Sequence, residues 1–408
     1  MNAAHFTVCA LVALASKLAA QHGWEISLAD GTLLLAVRPS LETTAWAGDA
    51  PTAALLDFHG DSTFIAPRFT LGLDAALGSH WFLHTATRWD RGFDPGERSA
   101  GDLRLDELIL RFRPLGDARL NLQLGRFPTV FGATANQQDF FDNPFLLAPL
   151  PYAQTIGIHS RLPGPLSPAA IAARASGNAP PVSQLDSQNW ASVIWGSSYA
   201  LGAAVTGSID HFDYALELKN ASLSSHPDSW TLDSGNFSDP TLTARLGYRP
   251  TAAWALGLSA SKGAYLDESA SQALPPGKDL ADLQQTTLGL DLRWAHRDLI
   301  LSGEVIASRF ETLDAGDLEC LAWFIQARWK AAPGAWLAGR FGQIHFNDAR
   351  GPADVSTPWS PDVWRAEIAA GWQITPHILL KVHHSYTHTT DDDSAPEHLT
   401  GFGLGWQL

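Results

Sequence analysis

The sequence predicts an all-β fold: a transmembrane antiparallel β-barrel of about sixteen strands. Three observations carry that expectation. Apolar residues recur with a period of two in segment after segment, the segments run about ten to fourteen residues, and the connections between them are tight and long in turn. Strict alternation describes a sheet with one apolar and one wet face. Strands of soluble sandwiches cluster near five or six residues, whereas a tilted strand crossing a bilayer needs about 9–11. A large soluble β-helix or sandwich is the competing expectation, and strand length speaks against it.

Bulk numbers fit that class. Apolar residues make up 45% of 408, yet mean hydropathy is −0.05. No window approaches the ~20 consecutive apolar residues of a spanning helix. Charged residues are 17%, and sixteen Trp and nineteen Phe stand against one Met and two Cys. A net charge of −15 excludes nucleic acid as a partner, because phosphate binding needs a basic surface.

Residues 1–20 read as a signal peptide, with "FTVCALVALA" (Phe6–Ala15) as its apolar core and cleavage after Ala20. Cleavage removes Cys9 and leaves Cys320 alone, so no intrachain disulfide is expected. Residues 21–408 then form a single barrel domain.

Strands are expected near 32–46, 64–77, 80–91, 104–114, 117–127, 192–207, 209–220 and 240–250, then 252–265, 284–296, 298–310, 318–331, 334–347, 362–375, 377–389 and 397–408. "LGLDLRW" is representative: Leu288, Leu290, Leu292 and Trp294 alternate with Gly289, Asp291 and Arg293. Trp254, Trp294, Trp329, Trp364 and Trp372 sit towards strand ends, where an amphipathic ring suits the headgroup layer. If the first strand rises from the periplasm, the count is even and every tight turn falls on the periplasmic side. Long acid-rich loops then face outward. The alternation requires 128–191 to be one extracellular insertion, with "YAQTIGIHS" (Tyr152–Ser160) inside it as part of a hairpin.

The insertion begins in "LGRFPTVFG" (Leu124–Gly132), where Arg126, Pro128 and Gly132 mark the hinge: Pro128 cannot donate to a ladder. The C-terminus, "LTGFGLGWQL", alternates Phe402, Leu404, Trp406 and Leu408 and looks like the terminal signal read by the barrel-assembly machinery. Leu408 departs from the usual Phe. With "LGRFPTVFG" and "FFDNPF", the chain resembles bacterial general and phosphate-selective-type porins. The motif covers under a tenth of the chain, the strand pattern most of it. The resemblance implies a bacterial outer-membrane channel for small hydrophilic solutes or ions, working without a cofactor. It also implies an insertion that folds back and narrows the barrel; an external loop is the competing reading. Trimers are common among porins, and a trimer contact would be an apolar outer face like any lipid face.

If the apolar phase meets lipid, the other phase lines the lumen. Basic candidates are Arg68, Arg88, Arg111, Arg113, Arg119, Lys219, Arg245, Arg293, Arg328, Lys330, Arg365 and Lys381. Acidic ones include Asp74, Asp90, Glu107, Asp213, Glu217, Asp291, Glu304 and Glu367. One reading is a basic ladder favouring anions. The favoured one is that these arginines pair with acids on neighbouring strands.

No nucleophile elbow, P-loop, zinc-protease helix or paired-cysteine site occurs, so no catalytic residue is assigned. "GFGLG" has the wrong spacing for dinucleotide binding. His383, His388 and Asp391 in "KVHHSYTHTTDDD" could form a metal site at the mouth or part of a surface hydrolase. Alternation argues against this, because His383 and His388 take opposite phases. A plugged barrel acting as a surface binding or adhesion protein is the remaining alternative to a channel.

Overall fold

Sixteen antiparallel strands close on themselves, and a seventeenth is bonded to the outside of the closure. The computed structural model describes residues 24–49, 63–90, 102–160, 190–225, 237–313, 315–350, 356–390 and 396–408. The signal-peptide expectation lies outside them.

The strands in chain order are β1 Trp24–Leu28, β2 Leu33–Gly48, β3 Thr63–Leu77, β4 Trp81–Asp90, β5 Asp102–Phe112 and β6 Asn121–Phe127. The insertion holds the short helix α1 Leu150–Ala153 and the strands β7 Thr155–His159 and β8 Trp190–Ser192. Next come β9 Ala200–Ile209, β10 Phe212–Lys219, β11 Thr241–Thr251, β12 Trp254–Ala264, β13 Gln284–His296 and β14 Leu299–Phe310. The chain ends with β15 Leu318–Ala332, β16 Ala335–Phe346, β17 Asp348–Arg350, β18 Ser356–Pro358, β19 Val363–Thr375, β20 Ile378–Thr389 and β21 Glu397–Gln407.

Barrel strands pair with their chain neighbours. β6 reaches across the insertion to β9, and β2 pairs with both β3 and β21 to close the ring. Among the described residues each strand of the ring is paired on both sides, as a backbone in hydrocarbon must be, while β1 is paired on one side only. The sixteen expected strands are these sixteen. Two starts differ: residues 117–120 belong to a turn in which Asp117 accepts the Arg119 amide (2.9 Å), and 192–199 belong to the insertion. β1 was not among the expected strands. It pairs with Leu33–Val37 on the stretch of β2 below the end of β21, where the Leu408 amide bonds Pro39 O at 3.2 Å.

The outward phase is an apolar belt. Leu124, Leu258, Leu288, Leu290, Ile325 and Ile368 are each more than half exposed, which in water would be untenable and in hydrocarbon is neutral. Inside, the larger buried cluster fills the extracellular half of the lumen on the β12–β19 side. There Ile156, Ile158, Val193 and Ile194 of the insertion pack on Leu280, Leu283, Phe310, Leu318 and Trp359. β7, within the YAQTIGIHS segment, pairs antiparallel with β8; the residues that join them lie outside the described ones.

Candidate functional site in the lumen

The insertion is tied to the inner wall by two sets of side chains of opposite sign. At its start β6 ends at Phe127, and Gly132 takes φ +68°, a left-handed conformation that favours glycine. A Cβ there would lie 2.8 Å from the Tyr152 hydroxyl. The intervening backbone meets acids. Thr129 Oγ1 and the Val130 amide donate to Glu217 of β10 (2.6 and 3.1 Å). The Ala133 and Thr134 amides donate to Glu304 Oε1 of β14 (both 2.8 Å), and the Tyr152 hydroxyl donates to its other oxygen. Burial and the Glu304 carboxylate push the Tyr152 phenol well above its ordinary pKa.

Further along, backbone carbonyls meet cations. Lys381 of β20 donates to Phe140 O and Asn143 O, the latter at 2.5 Å. Arg340 of β16 donates to Leu147 O at 2.8 Å, and Arg365 of β19 to Ala148 O at 2.5 Å. Glu367 joins part of the group: Arg340 reaches it at 2.5 and 2.7 Å, Arg365 at 3.4 Å and His383 at 3.2 Å. All of these wall residues are buried; Arg340 and Arg365 pair with Glu367, while Lys381 and Glu304 are held by hydrogen bonds to the insertion. The glycines of "GFGLG" have a use here. A Cβ on Gly405 would meet the Phe140 ring at 2.4 Å, and one on Gly403 would meet Phe140 at 2.7 Å and Leu146 at 2.8 Å. Bare backbone on the inner face of β21 lets the insertion approach.

What the insertion leaves open is a cavity of about 420 Å³ against β2–β5. Its wall interleaves charges of both signs. In register, Glu42 faces Arg68, which faces Asp90; one step down Thr70 faces Arg88, which faces Arg104; then Asp74 faces His84. Ion pairs cross the rows: Arg68–Glu42 2.8 Å, Arg88–Asp90 2.8 Å, Arg88–Asp106 3.3 Å, Arg104–Asp106 2.5 Å and Arg38–Asp74 2.9 Å. Asp139 of the insertion lines the opposite side.

Arg104 and Asp106 break the simple alternation. By period two they share a phase opposite to Glu107 and Arg111, which would face them to lipid at roughly 2–4 kcal/mol for a midplane arginine. Instead a bulge opposite Ala86/Thr87 inserts one residue, so Arg104, Asp106 and Glu107 all face the cavity. Leu103 and Leu110, seven residues apart, are accordingly both outward. Two charges on an apparent lipid phase were the available signal.

Of the expected pore residues, Arg68 and Arg88 line the cavity. Arg245 pairs with Asp291 at 2.7 Å and Arg111 bonds Gln123 at 2.8 Å. Arg328 stacks over Trp336 at 5.0 Å, and Arg293 is exposed on β13 in the phase of Asp291. Arg365, Lys381, Lys219 and Glu367 lie beneath the insertion, bonded to it or to each other. Arg126 is buried at the end of β6. Three placements correct the expected ladder. Arg119 is in the β5–β6 turn, 61% exposed and paired with Asp117 at 2.8 Å. Arg113 lies just past β5 with its amide on His80 O, and Lys330 is exposed near the periplasmic end of β15 with its amide on Asp298 O. Each sits where strand meets turn. Arg38, Arg104, Asp106 and Arg340 were not among the expected residues; Arg340 shares its inward phase with Trp336 and Ala338. No group of three or more His, Cys, Asp and Glu able to hold a metal occurs among the described residues, and Asp391 lies outside them.

No family model matches the chain, and no curated protein sequence matches it. Solved structures do. The outer membrane channel DcaP of Acinetobacter baumannii is 11% identical over 95% of this chain and 99% of its own, with TM-score 0.58. An anion-selective porin from Comamonas acidovorans is 10% identical over 92% and 100%, TM-score 0.55. OmpF of Salmonella typhi, in complex with daunomycin, is 10% identical over 94% and 100%, TM-score 0.55. The chain therefore has the fold of bacterial outer-membrane porins, and the outer membrane is where such a belt belongs.

Proposed function

We propose that this protein is a passive outer-membrane channel for small hydrophilic solutes and ions, with residues 128–191 as the element that narrows it. The observation that carries the proposal is the charged cavity between the β2–β5 wall and the docked insertion. Four arginines (Arg38, Arg68, Arg88, Arg104) and four acids (Glu42, Asp106, Glu107, Asp139) line it, and the wall pairs are within ion-pair distance. Selectivity follows the local field, and a balanced lattice gives a weak one. The anion selectivity of the Comamonas porin is a property of that protein. The reading carries no catalytic step, metal or cofactor. Trimer assembly through an apolar outer face, and recognition by the assembly machinery through Phe402, Leu404, Trp406 and Leu408, belong to the same proposal.

Planar-bilayer recordings in a salt gradient test it. The expected result is ohmic conductance with a reversal potential near zero. A strongly anion- or cation-selective reversal overturns the paired-charge reading. A folded, heat-modifiable barrel with no conductance overturns the channel itself. The buried cluster in the extracellular half of the lumen supports that second reading, a plugged surface-binding barrel. Deleting 128–191 would then be needed to open it.

A further inference from the structure

The charged wall of the cavity has one bare patch. In register Gly72 of β3 faces Ala86 of β4, and Ser40 faces Thr70 one step towards the extracellular side. All four line the cavity. Other glycines of the inner wall have their space taken. A Cβ would lie 2.6 Å from Phe131 at Gly289, 2.1 Å from Trp336 at Gly371 and 2.4 Å from Phe140 at Gly405. At Gly72 it would meet, among the described residues, only Arg38 at 3.5 Å, an ordinary contact. The patch opens on the cavity and not on protein.

Beneath it runs an arc of four side chains. Arg38 Nη2 lies 2.9 Å from Asp74 Oδ2, His84 Nδ1 2.5 Å from Asp74 Oδ1, and His84 Nε2 3.8 Å from Glu107 Oε2. The arc starts on β2 and ends on β5, three strands on, which separates the backbones of its ends by about 14 Å. Those ends differ in sign, and both meet solvent. The Arg38 side chain is 65% exposed and that of Glu107 22%, whereas Arg68, Arg88 and Arg104 are at 14% or less.

An aromatic edge lies beyond the arginine end. Phe141 of the insertion lines the cavity, meets Phe140 edge-to-face at 5.3 Å and rests on the bare backbone of Gly405. Gly405 faces Glu42, so the ring is one strand from β2 and four from β5.

We propose that this patch binds a short zwitterionic peptide, two or three residues long, with an apolar C-terminal side chain. Its carboxylate pairs with Arg38 and its ammonium with Glu107. Its backbone lies over Gly72 and Ala86, within reach of the Ser40 and Thr70 hydroxyls, and its last side chain packs on Phe141. At ~3.4 Å per residue, two or three residues cover about 7–10 Å, and the Arg38 and Glu107 side chains bridge the remainder. A single amino acid is too short to reach both ends, and a simple anion would be repelled by Glu107. The assignment rests on the channel reading above and gives it a solute class.

Saturation-transfer NMR on the detergent-folded barrel tests this with glycyl-phenylalanine, its N-acetyl form, its C-terminal amide and glycyl-glycine. The expected result is roughly tenfold tighter binding of glycyl-phenylalanine than of each other probe, the margin of one charge-assisted bond or one packed ring. Arg38→Gln should erase only the margin over the amide, and Glu107→Gln only the margin over the acetyl form. Gly72→Leu, which fills the patch and keeps every charge, should weaken binding of glycyl-phenylalanine at least tenfold while the heat-modifiable band shift persists. Equal binding of the four probes, or a preference that Gly72→Leu leaves intact, overturns the assignment. Bilayer recordings on the same preparations separate it from the channel reading. Binding without conductance upholds the peptide site and overturns the channel; conductance without binding overturns the peptide site alone.

Discussion

Glu304 and Tyr152 are 152 residues apart in the chain and share a hydrogen bond on the inner wall, where the same carboxylate also takes the Ala133 and Thr134 amides. One wall side chain thus fixes both the first turn of the insertion and its helix α1. Glu304→Ala leaves three donors without an acceptor, each costing about 1–3 kcal/mol. The expected outcome is a folded barrel whose insertion is cut faster by protease and whose open-channel current is noisier; Glu304→Gln, which keeps an acceptor, should lie between.

Removing Arg340 acts on the other anchor. Glu367 would keep Arg365 at 3.4 Å and His383 at 3.2 Å but lose its two shortest bonds. Breaking one partner of a buried pair costs about 3–5 kcal/mol. Arg340→Ala should lower the urea midpoint in detergent by an amount of that order. Arg340→Lys should recover little of it, because the fork that spans both Glu367 oxygens and Leu147 O is lost.

Gly403→Val places a Cβ 2.7 Å from the Phe140 ring and 2.8 Å from Leu146. Neither neighbour can retreat into the wall, so the insertion has to move. Single-channel conductance should change while the band shift on gels persists; an unchanged conductance would mean that the insertion does not set the narrowest point.

The bulge in β5 yields a paired comparison. Asp106→Asn leaves Arg88 and Arg104 without that acid beside the cavity and should move the reversal potential towards anions. Asp291→Asn removes a comparable pair with Arg245 outside the cavity lining and should move it less.

Asp142 of the insertion titrates above the ordinary aspartate range, raised by burial and by Asp139 against the opposing pull of Lys381 and Arg328. A raised carboxyl contributes stability that is fully present below its unfolded value, about 3.9, and lost as pH rises through the folded one. Lowering pH from neutrality should therefore remove its negative charge earlier than that of a free aspartate, and shift the reversal potential towards anions. Asp142→Asn should flatten the profile.

Strand count and parity were legible because each barrel strand buries nothing on one side and a wet wall on the other, so alternation is written into every segment. "WEISL" alternates as well, with Trp24, Ile26 and Leu28, but five residues lie below the length that signals a spanning strand. The bulge was legible only through its anomaly, charges at Arg104 and Asp106 on a lipid phase. The anchoring of the insertion was not legible at all. Lys381 and Arg365 bond backbone carbonyls more than 200 residues away, and a carbonyl has no residue type to read. The same contacts explain why an inward arginine does not amount to a pore arginine.

The cavity lies to one side of the lumen, against β2–β5, and that eccentricity divides the molecule's tolerance to change. Substitutions of the charged β2–β5 side chains alter the cavity lining and leave the Glu217, Glu304, Arg340 and Arg365 anchors of the insertion untouched. Substitutions between β10 and β20 alter how firmly the insertion is held and reach the cavity only by moving it. On the channel reading proposed above, what such a barrel admits can be retuned at a handful of wall positions without repacking the insertion.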